Sequence, residues 1–244
     1  MVPLVVRPAA QANQLVQMLR QLGHAPLCCP LLETRPGCDL PHLGDMLREA
    51  DLVIAVSMHA VHFAHYFLLQ TGQTWPHIDY FAVGQASADA FAEAGIQALC
   101  PADPRSEGLL ALPALQGVSG RRVLILRGND GRDLIARTLA SRGALVHYCA
   151  TYERHYPDLD GDALTRHWQA AGLDSLLITS GELLQRLLAL VPGPQHPWLY
   201  DRLLVVPSPR VAEMAEGAGF TRIVIAQGAS NQALVAALEL RKME

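Results

Sequence analysis

Arginine, glycine and small hydroxyl residues recur along this chain where an anion would be held. Arg7, Ser57, the Gly84–Ser87 stretch, Arg127-Gly-Asn-Asp-Gly-Arg132, Thr179-Ser180-Gly181 and Ser208-Pro209-Arg210 each follow a short apolar run and precede a helical pattern. At such junctions free backbone N–H groups and the positive end of the helix dipole favour a negative ligand. Arginine adds a bidentate clamp for carboxylate or phosphate. The candidate binding residues are Arg7, Ser57, Ser87, Arg127, Gly128, Arg132, Thr179, Ser180, Gly181, Ser208 and Arg210. Each alone is also an ordinary cap or turn former. Their repetition at many strand ends is what points to a polyanion held in a cleft between two domains.

Several chemistries lack their signatures. The Arg127–Arg132 loop does not follow G-x-x-x-x-G-K-[ST], and no G-x-G-x-x-G follows the first strand, which argues against nucleotide and dinucleotide sites. His59, His62 and His65 recur every third residue, so they drift around a helix, and no nearby Cys or acidic residue completes a metal set. No Gly-x-Ser-x-Gly elbow anchors a hydrolase. Tyr152 is followed by Glu153-Arg154 at the second of two polar segments where the chain could cross between domains. It reads either as a packed aromatic at a hinge or as a hydrogen-bond donor and general acid, since a phenol stays protonated at neutral pH.

The elements that must position these residues form an internal repeat. Arg7, Leu19, Gly23, Cys29 and Glu33 recur as Arg127, Leu139, Gly143, Cys149 and Glu153, each 120 residues on. Asp51–Ser57 recurs as Asp174–Ser180, 123 residues on. Tyr152 breaks the repeat, because its counterpart is Leu32. Residues that obey a repeat are explained by shared packing, and one that departs from it is a stronger functional candidate. Apolar runs predict strands at Pro3–Arg7, Ala25–Leu32, Leu52–Val56, Tyr80–Val83, Gln97–Cys100, Arg122–Leu126, Leu145–Glu153, Ser175–Thr179, Leu203–Val206 and Arg222–Ile225, alternating with helical patterns. That alternation predicts an α/β fold of parallel sheets covered by helices. Two equivalent polar segments, Glu33–Pro36 and Glu153–Pro157, allow the chain to cross out and back. The expected domains are then residues 1–33 with 157–244, and 37–150, linked through 33–37 and 150–157.

Half of the residues are hydrophobic and 17% are charged, which suits two packed cores. A net charge of −4 argues against a general nucleic-acid or anionic-membrane surface. Five cysteines with no C-x-x-C read as reduced thiols. The apolar run near the N-terminus is too short for a signal peptide, and no apolar stretch approaches the roughly 20 residues that span a bilayer. The expectation is a soluble, cytoplasmic monomer.

Leu4-Val-Val-Arg-Pro8, Ser57-x-x-Ala-Val61, Phe81-Ala-Val-Gly-Gln-Ala-Ser87, Ser106-Glu-Gly-Leu-Leu110, Leu124-Ile-Leu-Arg-Gly128, Tyr152-Glu-Arg154 and Thr179-Ser-Gly-Glu182 together, in order and spacing, resemble the uroporphyrinogen-III synthase family. The resemblance runs over nearly the whole chain. It implies two α/β domains joined by a two-stranded ladder, with a cleft between them and no metal or organic cofactor. The implied substrate is hydroxymethylbilane, a linear octacarboxylate tetrapyrrole, with transient hand-over from hydroxymethylbilane synthase. The implied product is uroporphyrinogen III, closed with ring D inverted through azafulvene and spiro intermediates. Tyr152 matches the family tyrosine proposed to help the hydroxyl leave. Ser57, Ser87 and Ser180 match hydroxyl positions of the cleft. Ser208 stands in a turn where many members carry Thr, and His59 where Asn or Arg is common. The rival reading is a bilobal small-anion-binding module without catalysis. A cytosolic sugar-phosphate or nucleotide enzyme is disfavoured, since neither a phosphate loop nor a catalytic carboxylate pair is found.

Overall fold

The computed structural model describes residues 1–242. The chain opens with β1 (Pro3–Val5), α1 (Ala9–Gln21) and β2 (Leu27–Cys28). Strand β3 (Glu33–Pro36) leads to α2 (Leu43–Glu49), β4 (Leu52–Ala55), α3 (Met58–Gln70), β5 (Asp79–Ala82), α4 (Gln85–Glu93) and α5 (Ser106–Leu110). Then come β6 (Arg122–Gly128), α6 (Leu134–Ser141) and the long β7 (Leu145–His155). The last third is α7 (Gly161–Ala170), β8 (Ser175–Leu177), α8 (Gly181–Leu190), α9 (His196–Tyr200), β9 (Leu203–Val206), α10 (Pro209–Ala218), β10 (Ile223–Ile225) and α11 (Asn231–Lys242).

These elements divide into two compact units. Unit 1 takes residues 1–33 together with the chain from His155 onward, and unit 2 takes Thr34–Arg154. The sheet of unit 1 runs β10-β9-β8-β1-β2, with every pair parallel. The second sheet runs β3-β7-β6-β4-β5, with β7, β6, β4 and β5 parallel. The repeat is visible in this order. Strands β9-β8-β1-β2 correspond in sequence to β5-β4-β6-β7, so each unit draws strands from both copies.

Core strands such as Leu52–Ala55 and Leu203–Val206 are buried along their whole length. This is the pattern of parallel strands covered on both faces. In unit 1, Leu4, Leu176 and Leu204 face one core, while Val5, Leu177 and Val205 face the other. In unit 2, Val53, Leu124 and Cys149 lie under α2, α3 and α4, and Ile54, Ile125 and Phe81 lie under α5 and α6. Each fully buried leucine or isoleucine contributes roughly 1.5–3 kcal/mol of transfer free energy. After α1 and α6 the chain turns at the repeat-related Gly23 and Gly143, with φ of 81° and 85°, a conformation that costs glycine nothing.

Some elements differ from the sequence expectation for local reasons. The strand expected at Ala25–Leu32 narrows to Leu27–Cys28, between Pro26 and Pro30, which lack ladder donors. The strand expected at Gln97–Cys100 is a single bridge between Phe81 and Leu99, ended by Pro101. Residues 33–36, expected as a polar crossover segment, form β3 beside β7. No helix among the described residues is long and apolar enough to cross a membrane.

Candidate functional site

Tyr152 lies near the carboxyl end of β7, in a seat built by three neighbouring elements. Ser57, the N-cap of α3, accepts a hydrogen bond from the Ala60 N–H at 3.2 Å and donates its own O–H to the Tyr152 phenol oxygen at 3.2 Å. In this arrangement the phenol oxygen accepts, and its own proton is not used in the bond to Ser57. The Tyr152 ring stacks on Phe63, 6.0 Å between centroids, and tilts against His59 at 5.7 Å. Burial holds the His59 imidazole below its ordinary pKa, with help from the positive charges of His62 and Arg154. Gly128 forms the floor: a Cβ there would stand 2.8 Å from Tyr152 Cζ and 3.1 Å from its oxygen. The backbone is fixed as well. Asn129 N–H donates to Tyr152 C=O at 3.0 Å, and the Asn129 side chain accepts from Arg154 N–H at 3.0 Å.

The Arg127 loop occupies the opposite face of the same sheet. The Arg127 guanidinium lies 4.6 Å above the Tyr148 ring and 3.3 Å from Asp133, whose carboxylate also accepts from the Tyr148 hydroxyl at 3.1 Å. A pocket of about 130 Å³ opens here, lined by Arg127, Arg132, Asp130, Ser106, Tyr148 and Ile135 among others. Arg132 is exposed and able to reach an anion. Arg127 is largely enclosed, its side chain 12% exposed. Ser87 is 4% exposed in the first turn of α4.

In unit 1 the candidates fall into two groups. Arg7 follows β1 and donates to Asn231 and, at 3.2 Å, to Gln11, so it ties β1 to the starts of α1 and α11. Its Nε is buried without a partner, and burial lowers the guanidinium pKa. The second group surrounds the start of α8. Ser180 caps it, accepting from Leu183 N–H at 3.2 Å, as Ser57 does for α3. Gly181 lets α10 approach, since a Cβ there would stand 2.7 Å from Met214 Sδ and 3.9 Å from Arg210 Nη1. Ser208 caps α10 with no side-chain bond, and Thr179 precedes Ser180 half-buried.

Sequence reading misses two features. Gly128 is expected as an anion contact, and its bare Cα is also the seat of the phenol. Thr151, fully buried beside Tyr152, does not stand out by residue type in a strand that mixes apolar, aromatic and charged residues. Among the described residues no group of three or more His, Cys, Asp or Glu is placed to hold a metal ion. The buried thiols Cys29 and Cys149 are pushed up to about 11 and about 12, chiefly by desolvation, and are inert as nucleophiles.

The family described as uroporphyrinogen-III synthase HemD matches residues 13–236. Uroporphyrinogen-III synthase of Escherichia coli (strain K12) is 44% identical over 97% of this chain and 99% of its own length. The protein of that name from Salmonella typhimurium is 42% identical over the same shares. Among solved structures, a mutant uroporphyrinogen III synthase from the extremely thermophilic bacterium Thermus thermophilus superposes with a TM-score of 0.65 at 19% identity, covering all of both chains. The Helicobacter pylori 26695 protein superposes at 0.55 and 18% identity, over 88% of this chain and 92% of its own. At those identities the structural likeness speaks for the fold.

Proposed function

The chain belongs to the uroporphyrinogen-III synthase family, and from that premise we propose how its own residues serve the reaction. The enzyme is a cyclising hydro-lyase of tetrapyrrole biosynthesis. It closes hydroxymethylbilane to uroporphyrinogen III with loss of water and inversion of ring D.

The observation that carries the mechanism is the relay from the Ala60 N–H through the Ser57 hydroxyl to the Tyr152 phenol. Hydrogen bonds in such a chain polarise one another, and this one starts at the positive end of α3. Tyr152 donates its proton to the ring-A hydroxyl, which leaves as water and gives the azafulvene. The substituted carbon of ring D attacks to form the spiro intermediate, which fragments and recloses inverted. The proton lost as the last pyrrole regains aromaticity restores the phenol. Pyrrole nitrogens supply the electronic push, so the protein mainly positions the chain ends and assists departure of water.

Carboxylate binding is assigned, in the same proposal, to the strand–helix turns. In unit 2 these are Arg127, Gly128 and Arg132, with Ser57. In unit 1 they are Thr179, Ser180, Gly181, Ser208 and Arg210. Arg7 and Ser87 are held by their own units, and their part is to shape those turns. We further propose a monomer working in the cytoplasm that receives its substrate from hydroxymethylbilane synthase.

The test is an isomer assay. Hydroxymethylbilane is incubated with the enzyme or with Tyr152→Phe, and the oxidised uroporphyrins are separated. Spontaneous closure gives isomer I. The wild type yields mainly isomer III, and Tyr152→Phe slows its formation roughly 10²- to 10⁴-fold with the fold intact. Unchanged turnover in that variant removes the acid role from Tyr152.

A further inference from the structure

Strand β7 alternates its side chains as far as residue 150 and then stops. Cys149 is buried beneath α3, whereas Tyr148 lies on the other face with Arg127 and Ile135. Strict alternation would carry Tyr152 to the face of Tyr148. The ladder to β6 jumps instead: Arg127 pairs with Ala150 and Gly128 with Tyr152, leaving Thr151 as an extra residue. A bulge of this kind re-aims the side chain that follows it. Tyr152 consequently packs on Phe63 and His59 of α3.

What holds the bulge is a buried hydroxyl. Thr151 Oγ1 lies 3.0 Å from Ala60 C=O in α3 and 3.3 Å from Arg127 C=O in β6, and its single proton is shared between these carbonyls, the shorter branch going to Ala60. Ala60 thus bonds to both neighbours of the phenol, through its N–H to Ser57 and through its C=O to Thr151. The repeat supplies a control within the molecule. In unit 1, Cys29 N–H donates to Val5 C=O and Leu31 N–H to Val6 C=O, so two residues again advance against one. There the residue passed over is Pro30, which has no N–H for the ladder, and the counterparts of Thr151 and Tyr152 are Leu31 and Leu32, both in the core with Cys29. A proline and apolar packing accompany the irregularity in unit 1, where a leucine stands in place of Thr151. A valine would fill the space of Thr151 equally well, and burying a hydroxyl carries a desolvation cost that its bonds must offset.

We propose that Thr151 is a positioning residue for the Tyr152 phenol, its hydroxyl locking the bulge to α3 and β6 so that the phenol stands beside Ser57. The proposal rests on Tyr152 acting as the acid. The experiment compares kcat and KM for Thr151→Val, Thr151→Ser, Tyr152→Phe and the double variant Thr151→Val/Tyr152→Phe, with thermal melts as folding controls. Loss of the hydroxyl in Thr151→Val lowers kcat roughly 10- to 100-fold and leaves KM within about twofold. Thr151→Ser restores kcat to within about threefold of wild type, and the double variant is no slower than Tyr152→Phe. Wild-type kcat in Thr151→Val, or a double variant slower than Tyr152→Phe by the full Thr151→Val factor, overturns the proposal. If Tyr152→Phe itself turns over normally, the acid reading fails and the proposal with it, a pattern distinct from a slow Tyr152→Phe beside a normal Thr151→Val. Should Thr151→Val not fold, Thr151→Ser against Thr151→Cys makes the same comparison, since a thiol is a weak donor of similar size. Equal rates in those two overturn the proposal.

Discussion

A single methyl group at residue 128 tests how the phenol is seated. In Gly128→Ala the new Cβ lies within about 3 Å of the phenol tip, a separation that forces the ring to move. The expected outcome is a roughly 10- to 100-fold drop in the rate of isomer III formation with a stability loss of about 1–3 kcal/mol, read by kinetics beside urea unfolding. His59 offers a second test at the same scale. Its native pKa is depressed, chiefly by burial, so the fold prefers the neutral ring. The contribution to stability is fully present above the ordinary pKa near 6.5 and is lost as pH falls through the lowered native value. His59→Phe keeps a ring against Tyr152 and removes the titration. Its unfolding free energy should fall less than that of the wild type between pH 7 and pH 5, as urea titrations at several pH values would record.

At the scale of the element, Ser57 and Ser180 perform the same service for α3 and α8 and differ in what else they touch. Each accepts a bond from the N–H three residues on, at 3.2 Å. Ser57→Ala and Ser180→Ala should therefore cost similar stability, about 1 kcal/mol each, by thermal or chemical unfolding. Ser57→Ala also removes the donor to Tyr152, so its kcat should fall while its stability loss matches that of Ser180→Ala. Much of this layer was legible in the sequence. The serine turns, the strand–helix alternation and the break in the repeat at Tyr152 all follow from residue types along one strand or helix. The bulge was not legible, because it is a relation between β6 and β7 and appears only when two strands are laid in register. Strand β3 was hidden for a similar reason: Glu33-Thr-Arg-Pro has no apolar periodicity, and it gains its place from β7. The role of Gly128 was half legible, since a glycine after a strand suggests close approach without saying what approaches.

For the whole molecule, the two units differ in how the chain supplies them. Unit 2 is one continuous stretch, Thr34–Arg154, whereas unit 1 is assembled from both ends of the chain. Non-local pairing pays loop-closure entropy before contacts repay it. In refolding followed by pulsed hydrogen exchange, amides of β4, β5 and β6 should gain protection before those of β1 and β8. Simultaneous protection, or β1 first, would contradict this order.

The pairing of β1 with β8 also has a meaning for the chain as it leaves the ribosome. Val2 and its partner Asp174 are 172 residues apart. At about 5–20 residues per second, β1 and the apolar face of α1 wait on the order of 10–30 s for the strand that covers them. During that interval Leu4, Val5, Leu15 and Leu19, all fully buried at the end, are open to passing chaperones and to neighbouring nascent chains. Newly made protein is thus most vulnerable at β1 and α1, and a slower ribosome lengthens that exposure.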